Sequence, residues 1–396
     1  MSAGKLGVLV VSAAVALVAI GGAGASAGSA GLPTLQKGQI GKPLYARVGS
    51  AQPLQTSNTI PFWSSSFTDP TNGVTYPFTM VGTNPATSAT TTTVPTVLIP
   101  LQVNWVNPIS IGNDGTGDVS AVTGSPIFTS SSYVVSKDTG QYGSVIMRSE
   151  FNTFGNYNVN LGTPTVLPTQ TIDIPANQGQ ALGFAPDGHL VGVAQINYFS
   201  NKLLNLINNL HISPTTLPAF LPDNVYLYFG HDYTAPGPCC VLGYHGATSS
   251  TNGNGSQGVQ TFVFASWISS GVFSGGFMCP ANFKKCGPSD AVLADIHGLS
   301  HEISEWSNDP FGTNVVQPWA VPTAPQYGCT NVLETGDPVV GIGWEQVVNG
   351  TTYHPEDEVF KSWFARENPS TAQNSNYTYM GKYNPFGFDT YPAPTC

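Results

Sequence analysis

The stretch from Ser289 to Pro310, S-D-A-V-L-A-D-I-H-G-L-S-H-E-I-S-E-W-S-N-D-P, constrains this chain more than any other. Its periodicity predicts one helix. Ser289 or Asp290 supplies the N-terminal cap, with an acid near the positive end of the dipole. Pro310 stops it. Val292, Leu293, Ile296, Leu299, Ile303 and Trp306 recur at the spacing of one buried face. His297, His301 and Glu305 point the other way, at i, i+4 and i+8, one turn above another.

That face suits a metal. Imidazole nitrogen and carboxylate oxygen are donors that Zn²⁺ accepts, and i, i+4 spacing can aim two of them at one ion. Glu302 follows His301 directly, as the general-base glutamate follows the first histidine in H-E-x-x-H zinc hydrolases. Here the pattern is H-E-x-x-E, with Glu305 in the place of the second histidine. The alternative reading is an amphipathic helix whose solvated face carries two histidines and several acids.

The third ligand in such sites comes from a later element. Glu334, in the acidic stretch Leu333-Glu-Thr-Gly-Asp-Pro338, is the first candidate, followed by Asp309 and His297. Asp337 could accept a hydrogen bond from a ligating histidine, although Gly336-Asp337-Pro338 is also turn chemistry. His245, in a Gly-Tyr-His-Gly turn, is an oxyanion donor, a distant ligand or a structural histidine. Asp295, Glu302, Glu305, Asp309, Glu334 and Asp337 could instead form an oxygen-rich Ca²⁺ site that only stabilises the fold.

Only 9% of the 396 residues are charged, against the usual quarter. The formal charge of -10 argues against nucleic acid as a partner. Lys5, the apolar run Leu6 to Ile20 and Ala25-Ser26-Ala27 read as a secretory signal with its cleavage site, residues 1–27. No other stretch is long and apolar enough to span a membrane, so the expected location is extracellular, without a membrane partner after cleavage. Six cysteines, Cys239, Cys240, Cys279, Cys286, Cys329 and Cys396, fit that compartment as three disulfides of open connectivity.

From 28 to 124 the chain is Ser/Thr/Pro-rich with short β-type runs, either packed on the rest or forming its own layer. From 125 to 396 strand patterns surround a helix at Asn201 to Leu210, behind a Ser200 cap, and the Ser289 helix. The expected class is α+β, with a mixed sheet backing the H-E-x-x-E helix, whose far face looks into a cleft, beside a β-rich N-terminal part.

The motifs S-P-I-F (125–128), Q-Y-G (141–143), M-R-S-E-F (147–151), N-V-Y-L-Y (224–228), C-C-V-L-G-Y-H (239–245), S-H-E-I-S-E-W-S-N-D-P-F (300–311), L-E-T-G-D-P (333–338) and S-W-F (362–364) belong together. As a set they resemble a group of secreted, largely uncharacterised bacterial proteins familiar from acidobacteria. G-Y-H and N-D-P-F-G are similar, more distantly, to the plant Exordium/phosphate-induced protein 1 group. The resemblance covers roughly residues 120 to 385. It implies a zincin-like domain over 125–396 and an extracellular metallopeptidase, and it supports His301, Glu302, Glu305, Asp309 and Glu334 as site residues.

The expected function is therefore a secreted metal-dependent hydrolase acting on peptide or protein. Its cofactor is Zn²⁺, with Ca²⁺ or Mn²⁺ tolerated by the carboxylates, and Glu302 is its general base. The alternative is a non-enzymatic protein that binds cell-wall glycan. Sixteen Tyr, seven Trp and twenty Phe supply rings that could stack on sugar faces.

Overall fold

The structure, a computed structural model, describes residues 32–35, 44–45, 58–153, 155–230, 239–251, 257–273, 293–320 and 329–381. Among the described residues, strand outweighs helix by 40% to 18%. The main sheet has eleven strands: β1 (Leu44–Tyr45), β2 (Thr96–Trp105), β3 (Ile111–Asp114), β4 (Thr165–Val166), β5 (Gln170–Ile174), β6 (Gly179–Phe184), β7 (Leu190–Gln195), β8 (Leu217–Leu221), β9 (Val225–Tyr228), β10 (Cys239–Thr251) and β11 (Gln257–Ala265). Their central order is β4-β2-β8-β11-β10-β9-β7-β6. β3 and β5 also pair with β2, and β1 pairs with β10. The sheet mixes parallel pairs, such as β2 with β8, and antiparallel ones, such as β10 with β11.

The sheet curls until its two ends meet. The Ala181 amide donates to the Asn107 carbonyl at 3.0 Å. Asn113 Nδ2 donates to the Leu190 and Asp223 carbonyls at 2.6 and 2.7 Å, while its Oδ1 accepts from the Trp105 indole. These bonds satisfy edge groups that an open sheet would leave to solvent. The result is nearly a barrel, and it corrects the expected zincin-like α+β domain: the architecture is a strand-dominated closing sheet with five α-helices among the described residues. Strands from the Ser/Thr/Pro-rich N-terminal region and from the later region share that sheet, β2 lying between β4 and β8.

Helices cover the two faces. On β11, Phe262 and Phe264 pack with Phe199, Leu203 and Ile207 of α3 (Ile196–Asn209). The alternate residues Val263 and Ala265 pack with Ile296, Leu299, Ile303 and Trp306 at α4 (His297–Asn308). A strand shows opposite faces at successive residues. Because His245 pairs with Val263 and Gly243 with Ala265, both are placed on the α4 side. The other helices are α1 (Val119–Gly124), α2 (Tyr142–Glu150) and α5 (Lys361–Phe364). The side chain of Asn314 holds both the amide and the carbonyl of Thr79, and the Asn308 carbonyl. It thus ties the Phe62–Thr68/Thr75–Val81 hairpin to the end of α4.

Two helix boundaries differ from the periodicity. α4 begins at His297, not near Ser289. Asp295 exchanges backbone bonds with Ile268 at 2.7 and 3.2 Å and has φ 47, which breaks the helix before Ile296. Residues 289–292, including the proposed caps and Val292, lie outside the described residues. α3 begins at Ile196 instead of Asn201, because Gln195, not Ser200, is its cap: the Gln195 side chain accepts the Tyr198 amide at 2.8 Å. At the other end of α4, Asp309 leaves helical geometry before Pro310 as expected.

The signal segment lies outside the described residues, among which no helix is long and apolar enough to cross a membrane. Cys279, Cys286 and Cys396 also lie outside them, and neither Cys240 nor Cys329 is a free thiol.

Glu150, at the end of α2, is buried, and burial pushes its carboxyl from 4.5 up to about 7. A pKa raised in the folded state means that the fold binds the proton more tightly than the open chain does. The resulting penalty is complete above pH 7 and disappears below 4.5. At about 1.4 kcal/mol per unit, its full span is about 3 kcal/mol. Metal-free protein should therefore gain stability on acidification from pH 7.5 to 5. Glu150→Gln should flatten that gain by about 2–3 kcal/mol, measured as the urea-unfolding free energies of both proteins at the two pH values.

Candidate metal centre

All twelve residues of α4 are buried, the polar face as much as the apolar one. The expected cleft wall is thus a polar interior. Three features close it: β10 carrying His245, the segment Leu333–Val339, and the stretch His354-Pro-Glu-Asp-Glu358.

His301 is held from both sides. Its Nδ1 lies 3.0 Å from Glu356 Oε2, and its Nε2 lies 3.0 Å from Glu305 Oε1 and 3.7 Å from Asp337 Oδ1. With the proton on Nδ1 donated to Glu356, the Nε2 lone pair faces Glu305, the arrangement that orients a metal-ligating imidazole. His245 is built the same way in reverse. Its Nε2 faces the Asp309 carbonyl at 3.1 Å, and its Nδ1 lies 3.5 Å from both Glu305 Oε2 and Glu302 Oε2. Glu334 Oε2 is 3.7 Å from His245 Nε2.

Glu305 sits at the centre. Oε1 accepts the Gly336 and Asp337 amides at 3.2 and 3.3 Å and faces His301, while Oε2 faces His245. Burial acts to raise its pKa, but the two imidazoles hold it well below the usual carboxylate range. Burial acts to lower His245 and His301, but the surrounding carboxylates hold both well above the usual imidazole value. Glu302 is different. Neither of its oxygens has a hydrogen-bond partner, and burial pushes it from 4.5 up to about 7.

The cluster carries more acid than base. Among the described residues, Glu302, Glu305 and Glu356 pair with His245, His297 and His301, and Glu334 and Asp337 also approach these imidazoles. A buried negative excess needs protons or a cation. The donors fall into two compact groups, His245–Glu305–Glu334 and His301–Glu302–Glu305, each with ligand atoms within 4.8 Å of one another. These buried His/Glu groups could hold a metal ion.

The remaining expected residues are placed elsewhere. His297 faces Glu356 at 3.2 Å, one turn before His301, and belongs to neither group. Asp309 Oδ1 accepts the Thr313 and Asn314 amides at 2.8 and 3.1 Å and shapes the turn after α4, while its carbonyl faces His245. Asp337 is on the Nε2 side of His301, so the carboxylate that orients this ring is Glu356, which sequence reasoning missed. Glu356 is fixed by the Gly341 amide at 2.9 Å, and its own amide donates to Ser300 Oγ at 2.8 Å. Three consecutive acids at 356–358 in a chain with 9% charged residues were the available signal.

Two glycines admit the site. A Cβ on Gly243 would lie 2.7 Å from Glu302 Oε1 and 2.9 Å from the Phe264 carbonyl, and a Cβ on Gly336 would collide with the His301 ring. No family model, curated protein or solved structure matches the chain.

Gly336→Ala should cost about 1–3 kcal/mol, the range for forced overpacking, and should displace His301. Gly117→Ala, where a Cβ meets nothing within 4 Å, should be neutral. Thermal unfolding of the two variants, with and without added Zn²⁺, checks both statements.

Proposed function

We propose that the chain is a secreted metal-dependent hydrolase acting on peptide bonds. The observation that carries this reading is Glu302: a buried carboxylate without a hydrogen-bond partner, 3.5 Å from His245 Nδ1, in one of the two donor groups that share Glu305. A purely structural cluster has no use for an acid so placed.

His245, Glu305 and Glu334 would hold the cation, with His301 facing the other oxygen of Glu305. Mixed nitrogen and oxygen donors suit Zn²⁺, and the carboxylate share also admits Mn²⁺. When bound, such a cation polarises a carbonyl and makes water acidic enough to react near neutral pH. Glu302 takes the proton from the attacking water as the carbon–oxygen bond forms. It then returns that proton to the leaving amine as the carbon–nitrogen bond breaks. Glu356 keeps the His301 proton on Nδ1 throughout.

A second reading follows from one observation: His245, His301, Glu302, Glu305 and Glu334 are all at least 97% buried. Structural metal sites are closed and catalytic ones keep an open position. In that reading the cation only clamps the fold of an extracellular protein that binds cell-wall glycan.

Glu302→Gln should retain the ion held by His245, Glu305 and Glu334, by elemental mass spectrometry, and lose hydrolysis of an unfolded protein substrate by about 10²–10⁴-fold. Undiminished hydrolysis overturns the base assignment. Wild-type protein that binds metal, loses about 2–3 kcal/mol of stability on chelation and cleaves nothing belongs to the second reading.

A further inference from the structure

We infer that the centre takes two divalent cations bridged by the Glu305 carboxylate; this rests on the metal-centre reading above. Ligand atoms around one Zn²⁺ sit about 2.0–2.3 Å from it, so any two are at most about 4.6 Å apart. The donors exceed that span. They form two groups, and neither contains both histidines.

Glu305 is the member common to both. Its two oxygens face in different directions, Oε2 toward His245 Nδ1 at 3.5 Å and Oε1 toward His301 Nε2 at 3.0 Å. Each imidazole is backed on its other nitrogen, His245 by the Asp309 carbonyl and His301 by Glu356. Each therefore turns a lone pair toward its own oxygen of Glu305. One ion lies with His245 and Glu334, the other with His301 and Glu302, and Asp337 Oδ1 stands 3.7 Å from His301 on the second side.

The H-E-x-x-E departure gains a reason in the same step. A histidine at 305 offers one lone pair and binds one ion, whereas a glutamate offers two oxygens and can bridge. Glu302 has two oxygens as well: one closes the second group while the other keeps its place beside His245.

The test loads the full secreted chain with Mn²⁺ and reads stoichiometry and electron paramagnetic resonance together. Two ions per chain, with the isolated six-line signal replaced by an exchange-coupled spectrum, is the expected result. His245→Ala and His301→Ala should each retain one ion and recover the six-line signal. One ion per chain in the wild type, with an uncoupled spectrum, overturns the bridged pair and leaves the single-ion hydrolase standing. No bound ion overturns both. The wild-type measurement decides even where a variant fails to fold.

Discussion

A helix with carboxylates on the side facing the protein is held in place here by what lies opposite them. α4 buries Glu302 and Glu305 as completely as it buries Ile303 and Trp306. Charged carboxylates in an apolar interior are costly unless paired. The surrounding segments are arranged around that requirement: β10 brings His245, the 333–339 turn brings two amides to Glu305, and the 354–358 stretch brings Glu356 to His297 and His301. The apolar stripe of α4 fixes where the helix lies. The polar face fixes what else must come to it.

The curled sheet supplies the rigid part of the arrangement. Bulky rings on one face of β11 pack against α3, and small or branched residues on the other face let α4 approach closely. Gly243 in β10 leaves room for the Glu302 side chain at the point of nearest approach. His245, two residues on, is then at the right height to meet Glu305. A one-residue slip of β10 against β11 would turn His245 to the α3 face, so the site is written into the strand register as well as into the helix.

The apolar stripe and the i, i+4 spacing of His301 and Glu305 were legible because helical period is local. The stop at Pro310 was legible for the same reason. The start was not, since the break at Asp295 is made by Ile268, far away in sequence. The expected zincin-like architecture failed because pairing in this sheet is non-local: β2 bonds to β8, more than a hundred residues later, and no pattern inside either strand announces it. Glu334 became a candidate through its acidic setting, and it lies in a donor group with His245 and Glu305 rather than with His301. Glu356 was missed because its role depends on a contact 55 residues from His301, and the His245 geometry because it depends on cross-strand register.

The ends of α4 carry a consequence for how the molecule is made. Ile296 offers no side chain to cap the first turn; there is no acid in that turn and no base in the last. Twelve residues without caps are marginal as an isolated helix. α4 is therefore made stable by its surroundings, through segments that lie on both sides of it in the sequence. The same segments that cover its apolar stripe also supply the partners of its buried acids, so the helix and the polar interior stand or fall together.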